Sequence, residues 1–569
     1  MSRRTQILIL FAVAILMRLP FLNQAVQGDD LYYLYGGEHA LIEPFHPLHA
    51  QYVFMGKLVE MRGHPHGPFN SWFLGLLLAI FGRVREVPFH LAYVAFSLTA
   101  AFAAFQIASR FTDRAFEATL LFLAVPPFVV SGNSMEADLP FLAWWLASIA
   151  FYLYGWTSGA AVTAILAALT AYQAVILTPI LFFAPIPRRK WIPILAAPFA
   201  IVAFQVFERS TSGVWPAAVL LGYMQSYGLQ RSANKLRSAA ALSGPLFINI
   251  VCPIVWPGFR RIAKARFLYV WIGLFFGSGI VIFFAGSARY LLPMALPVCI
   301  LASGSRFVWP AIAIEAVLAA GLATENMQHW NAYRDIAAQV PVARRVFVNG
   351  EWGIRHYLEE RGARPLETGQ EFRGGDIAVS TAGAPAIDTP RALLFERTVT
   401  SPIPLRIVSL GGHSGFSTAA EGVLPFSVST NPIDRVRVER IIEVEPTLAF
   451  VKAGTPEAAA HTLSGISNSD NWTMDRALLA LKRPAGPAIL RAVFYLPPGG
   501  EHREVRLTID GAEAAAQRYE EPGLYTLDSP KLDGLSGRAT IGIATDKPLR
   551  VPTDGRPLGV VLTEIGFVQ

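Results

Sequence analysis

Cysteine and charge are what this sequence has least of. Among 569 residues there are two cysteines, Cys252 and Cys299, and both lie inside apolar runs. Two such thiols cannot build a disulfide framework or, unaided, a metal site, and they read as small core residues. Charged residues make up 16% of the chain and hydrophobic ones 53%, with a mean hydropathy of +0.40. A soluble globular protein carries about a quarter charged residues, so an ordinary soluble fold is excluded and much of the chain belongs in lipid. A Gly-rich phosphate loop opening a helix is also missing, which argues against a P-loop nucleotide site. There is no short-period repeat and no long low-complexity tract. Met1 to Leu22 starts basic and turns apolar, yet no small-x-small cleavage site follows. That segment reads as a retained first transmembrane helix with its N-terminus in the cytoplasm.

What is present is unevenly spread. Apolar runs dominate as far as Leu322, and the remainder has the texture of soluble protein. The expected fold is a polytopic α-helical membrane domain over residues 1–323, followed by two extracytoplasmic parts: a small α/β region over 324–400 and a β-rich, sandwich-like domain over 401–569. Spans are expected at 5–22, 88–109, 115–131, 139–155, 191–207, 240–257, 267–286, 290–304 and 307–322. The run 158–187 is too long for one span and reads as an up-down pair broken near Ala171-Tyr172-Gln173. That gives about eleven helices of roughly 17–25 residues. Phe69 to Phe81 is short for a span and reads as a helix along the membrane surface, and 213–238 as an interfacial segment. The basic clusters Arg188-Arg189-Lys190 and Arg260-Arg261-Ile262-Ala263-Lys264-Ala265-Arg266 contribute to the net charge of +7. In such a chain they report cytoplasmic loops by the positive-inside rule, not nucleic-acid binding. In the last part, alternating stretches at 435–438, 504–509, 539–543 and 559–562 read as strands.

Three polar features fall on the outer face in this topology. Asp29 and Asp30 follow the first span, where two adjacent carboxylates are costly unless they cap a helix or do chemistry. Glu136 and Asp138 occupy the loop after 115–131, where Asp138 alone would be read as a helix cap. Arg289 and Tyr290 open a late span, a position that also suits interfacial anchoring. Glu315 stands inside an apolar run, where a carboxylate needs a function or a polar partner. His39, His46, His49, His64 and His66 crowd one stretch but match no closed zinc pattern, so polar loop contacts rank above a metal.

The order Arg18-Leu19-Pro20-Phe21, Asp29-Asp30 and Arg62-Gly63-His64-Pro65-His66-Gly67-Pro68, with Asp138 and Arg289-Tyr290 further on, resembles polytopic glycosyltransferases of the GT-C type. The nearest groups are bacterial relatives of dolichyl-phosphate-mannose protein mannosyltransferases and of lipid A aminoarabinose transferases. The likeness covers about residues 10–310, and departs where His66-Gly67-Pro68 stands in place of a second consecutive proline. It implies a polyprenyl-phosphate-linked sugar donor, a lipid, glycan or protein acceptor, and an inverting transfer at the outer face of a bacterial inner membrane. Asp29, Asp30 and Asp138 are then the catalytic candidates, with Arg289, Tyr290, His64 and Glu136 for substrate binding. No cofactor is required, and a divalent metal is compatible without being needed. The alternative is a transporter or flippase of a lipid-linked glycan, against which stand the lack of an evident inverted repeat and the gathering of acidic residues at one surface.

Overall fold

The computed structural model describes residues 1–226, 265–282 and 288–569, except 413, 415, 417–423, 444, 468, 500–501, 534–535 and 552–555. The span expected at 240–257, Cys252, the later part of 213–238 and most of the 260–266 cluster lie outside the described residues.

The first part of the chain is helical: α1 (Arg3–Leu16), α2 (Asp30–Ile42), α3 (Phe69–Phe81), α4 (Glu86–Ala108), α5 (Ala115–Leu123), α6 (Pro126–Ser131), α7 (Asp138–Leu153), α8 (Thr157–Thr170), α9 (Leu177–Phe182), α10 (Trp191–Ser212), α11 (Pro216–Ser226), α12 (Ala265–Ile282), α13 (Leu292–Ala302) and α14 (Val308–Gln339). A strand pair, β1 (Gln51–Phe54) and β2 (Lys57–Glu60), separates α2 from α3. Among the described residues four stretches are long and apolar enough to cross a bilayer: Arg3–Phe21, Glu86–Ala108, Trp191–Ser212 and Val308–Gln339. Shorter apolar helices pack among them.

Polar contacts sort the helix ends into two groups. At one end Arg3 donates to Gln106, Arg110 to the Leu153 carbonyl, Lys190 to the Gly155 carbonyl, and Arg114 to the carbonyls of Ser303 and Ser305. At the other end stand Asp29, Asn70, Met135, Arg289 and Asn326. This alternation is the up-down order expected from the basic loops. Both ends of α3 belong to the second group: Asn70 donates to the Met135 carbonyl, and Glu86, just beyond Gly82, accepts from Arg334 and Tyr357. Thus α3 lies across that end of the bundle. Gly37 and Gly75 let α2 and α3 approach: a Cβ on Gly37 would sit 2.8 Å from the Cβ of Leu74.

Two expected spans are interrupted for identifiable reasons. Residues 115–131 divide into α5 and α6 because Pro126-Pro127 forces Val125 into extended backbone. The break near Ala171 is present, and the chain 64–67 fills it. Gly67 N–H donates to the Thr170 carbonyl, Tyr172 N–H donates to the Pro65 carbonyl, and His66 bridges Ala171. A Cβ at Gly67 would lie 2.2 Å from the Leu169 carbonyl oxygen. Here glycine is required, and a proline at 67 would lose the donor.

At 1.5 Å per residue the 32-residue α14 is about 48 Å long, well beyond the roughly 30 Å hydrocarbon core. It runs through Leu322 and the 323/324 boundary without a break and enters the α/β region. There β3 (Val346–Asn349), β4 (Arg364–Pro365), β5 (Ile377–Ser380), β6 (Arg391–Val399) and β7 (Asp434–Ile441) form a five-stranded sheet in the order β4-β3-β5-β7-β6, with α15 (Gly353–Glu359) after β3. The stretch 435–438, expected in the sandwich, is the antiparallel neighbour of β5 and β6 in this sheet. One apolar core continues from the helices into it through Val348, Ile354, Val436 and Val438.

The C-terminal unit has its own core around Leu479, Leu490, Phe494, Leu507 and Ile541. Its strands are β8 (Phe450–Lys452), β9 (Thr462–Ile466), β10 (Trp472–Arg483), β11 (Ile489–Leu496), β12 (Arg503–Ile509), β13 (Ala512–Tyr519), β14 (Gly523–Asp528), β15 (Gly537–Thr545) and β16 (Leu558–Val568). The order is β13-β12-β15-β10-β16-β11-β14. β10 turns the corner, pairing with β16 at Trp472 and Met474 and with β15 from Arg476 onward. The expected order of helical membrane domain, α/β region and β-rich domain is therefore present, with the middle sheet extended to residue 441.

Gly67→Ala should lower the melting temperature of the detergent-solubilised protein by a few degrees, because the Cβ must displace backbone. Gly222→Ala, on an exposed helical turn with open space around it, should leave melting unchanged or raise it slightly.

Candidate active site

The site is built on a buried tie between two loops. Asp30, in the first turn of α2, is fully buried, and its two oxygens accept Gln27 N–H at 3.0 Å and Met135 N–H at 2.7 Å. The other face of the same peptide segment is held as well, since the Met135 carbonyl accepts from Asn70 (2.9 Å) and Tyr93 (2.8 Å). Burial pushes the Asp30 carboxyl above the usual carboxylate range, while the two N–H bonds pull it back. Arg18 supports the arrangement from below. Its guanidinium donates to Ser97, Asn133 and the carbonyls of Phe128 and Val129 at the end of α6. A Cβ on Gly132 would fall 1.9 Å from that guanidinium.

On this base, four of the expected side chains converge. Arg289 lies 3.1 Å from Asp29 and 3.6 Å from Asp138, and pairs most closely with Glu136. The second Glu136 oxygen accepts the Asp29 backbone N–H at 3.2 Å. Gly28 makes that approach feasible: its φ is +42°, and a Cβ would stand 2.7 Å from Glu136. Three carboxylates thus share one guanidinium, leaving surplus negative charge among the four. The neighbouring aspartates are not equivalent. Asp30 is sealed, whereas the Asp29 side chain is about a third exposed. Tyr290 lies against Arg289, the guanidinium carbon 5.5 Å from its ring centroid.

The histidines divide into two groups. His64 and His66 join the aromatic lining of the site. The Tyr33 hydroxyl is 3.0 Å from His66 Nδ1, the Tyr52 hydroxyl bonds His64 Nε2, and His64 packs against Tyr32 and Tyr223. Burial holds both imidazoles below their ordinary value, so they are neutral at pH 7 and contribute no positive charge. His46 and His49 instead meet Glu208, and His39 pairs with Glu43. Glu315 is fully buried on α14, and neither oxygen has a hydrogen-bond partner among the described residues.

Sequence reasoning did not single out Asn70, Tyr93 or Gln27, whose signal was no more than a polar side chain beside an apolar run. It also missed the α/β region's share. Tyr32 donates to Glu351 at 2.6 Å, Val26 N–H donates to Tyr357, and Arg355 reaches the Val53 carbonyl. These contacts place the α/β region at the same end of the bundle as Asp29.

No family model and no curated protein matches the chain. Among solved structures, the chain is similar to ArnT from Cupriavidus metallidurans bound to undecaprenyl phosphate, with 13% identity and a TM-score of 0.47 over 67% of this chain and 94% of that one. The apo state of the same protein aligns at 14% identity and a TM-score of 0.45 over the same shares.

The two aspartates should respond differently to amidation. Asp30→Asn replaces an acceptor with a donor facing a backbone N–H, a change costing about 1–3 kcal/mol, and should lower the melting temperature. Asp29→Asn should melt like the wild type. Equal melting of Asp30→Asn and wild type would remove the anchoring role of Asp30.

Proposed function

We propose that the protein is an integral-membrane glycosyltransferase that moves a sugar from a polyprenyl-phosphate-linked donor to an acceptor at the outer face of the cytoplasmic membrane, with inversion at the anomeric carbon. The observation that carries this reading is the meeting of Asp29, Glu136, Asp138 and Arg289 at one end of an apolar bundle. Charges at such a place are retained for chemistry or for a charged ligand.

In this reading Asp29 is the base, being the exposed member of its pair. The acceptor hydroxyl attacks the anomeric carbon, Asp29 takes its proton, and the carbon–oxygen bond to the lipid phosphate breaks on the opposite side. Arg289 receives the leaving phosphate, for which a guanidinium offers paired N–H donors. Before the donor arrives the two Nη groups of Arg289 face carboxylates, so phosphate binding draws Arg289 off Asp29 and frees the base as the donor docks. Glu136 holds Arg289 in place, and Asp138, at the first turn of α7, orients the acceptor. Tyr290 and the neutral His64 line the sugar's surroundings, and apolar helix faces accommodate the isoprenoid tail. The leaving group is already a stable phosphate anion, so charge stabilisation by Arg289 is the main requirement. The acceptor is a lipid, glycan or protein carrying a free hydroxyl or amine. Because the α/β region adjoins the Asp29 end, this reading places the C-terminal part outside the cytoplasm.

The test is transfer of radiolabelled sugar from polyprenyl-phosphate donors in reconstituted membranes. Asp29→Asn should slow turnover by roughly 100-fold or more with donor binding retained, and full activity in that variant would remove the base assignment. Arg289→Ala should weaken donor binding by about 10-fold or more, and unchanged affinity would end its phosphate role. For orientation, Thr400→Cys in a cysteine-free background should react with an impermeant thiol reagent in intact spheroplasts. Reaction only after lysis would reverse the topology.

A further inference from the structure

A second polar cluster at the Asp29 end of the bundle lies apart from the Arg289 group. His46 and His49 flank Pro47-Leu48 in a single 3-10 turn, Pro47–His49 with His46 as its cap. Side chains three apart in such a turn eclipse, so the two imidazoles face the same way. Their rings stack at 4.6 Å, and His46 also stacks on Phe207 at 5.2 Å. Both point at Glu208, in the penultimate turn of α10, whose side chain is fully buried. His46 Nδ1 is 3.3 Å from one carboxylate oxygen and His49 Nε2 is 2.9 Å from the other.

We propose that His46, His49 and Glu208 bind one divalent transition-metal ion, of zinc type, as a staple between the segment after α2 and the end of α10. The potential donor atoms of the three residues lie within 4.8 Å of one another. A zinc ion sits about 2.0–2.2 Å from imidazole nitrogen and carboxylate oxygen, so ligands around it stand roughly 3.4 Å apart. The present spread therefore closes with side-chain adjustments of about an ångström. Two imidazoles and one carboxylate suit zinc better than the hard cations, which prefer oxygen alone. The surroundings also fit. Glu43 faces the other nitrogen of His49 at 3.9 Å, the carboxylate–imidazole–metal relation that fixes which nitrogen ligates. The neighbouring cation, Arg62, approaches Glu208 at 3.6 Å but is engaged by Glu60 and by Ser212 at 2.8 Å, so the metal need only displace its weakest contact. The fourth position is left to water. Since Asp29 caps α2 and the chain after α2 leads into His46, such a staple fixes the far end of the helix that begins at the Asp29–Asp30 pair.

The test uses the full-length, tag-free protein in detergent, stripped by chelator and then titrated with Zn2+ or Co2+. The wild type should take up one Zn2+ per chain in addition to any retained elsewhere, and its melting temperature should rise by several degrees. The Co2+ form should show the d–d absorption of a four-coordinate nitrogen–oxygen site. His49→Ala and Glu208→Gln should each weaken Zn2+ binding at least 100-fold and abolish the melting shift. A wild type without stoichiometric Zn2+, or a His46→Ala/His49→Ala double variant binding as tightly as wild type, would overturn the proposal. Should those variants fail to fold, the wild-type Co2+ spectrum decides: a four-coordinate spectrum supports the site, and its absence refutes it.

Discussion

The Asp30 carboxylate is the constraint on which the rest of this site depends. A sealed, charged or partly charged carboxyl is costly unless its lone pairs are taken up, and here two backbone N–H groups from different loops take them. The Gln27 and Met135 segments cannot drift apart without stranding that group. The proposed reacting groups follow within three residues in each loop: Asp29 after Gln27, Glu136 and Asp138 after Met135. Arg289 then closes the arrangement from a third, distant stretch of chain.

The electrostatics of the site are lopsided by construction. Three carboxylates share Arg289, and the nearby His64 and His66 are kept neutral by burial. Among the described residues the cation paired with these carboxylates is Arg289, so any further anion there would compete with them for it. In the proposed reaction that competition couples arrival of the phosphate to release of the base. The α/β region completes the setting, since Glu351 and Tyr357 hold α2 and the loop before it and Arg355 holds β1.

Much of the helical architecture was legible because length and apolarity report burial in lipid directly. α4, α7 and α10 follow runs that needed no tertiary information, and Pro126-Pro127 announces its own break. The strands β12, β15 and β16 were legible by alternation, their inward residues Val505, Leu507, Ile541 and Val560 being buried. The affiliation of β7 was not, because alternation says which face is buried and nothing about which sheet supplies the partner. The composition change after Leu322 marks where α14 leaves the apolar layer, while its backbone and its packing continue.

The sequence by itself determined the span-length apolar runs, the order of the three regions and the short list of polar residues gathered at one end of the bundle, because hydropathy and local geometry are properties of neighbouring residues. It left Asp29 and Asp30 indistinguishable, since both offer the same group at adjacent positions. Only the tertiary structure separated them, through the Met135 N–H, which lies 105 residues from Asp30. The same is true of Gly67 and of the His46–His49–Glu208 cluster. Each depends on a contact whose partner is remote in sequence, and no local pattern encodes the distance at which two remote atoms come to rest.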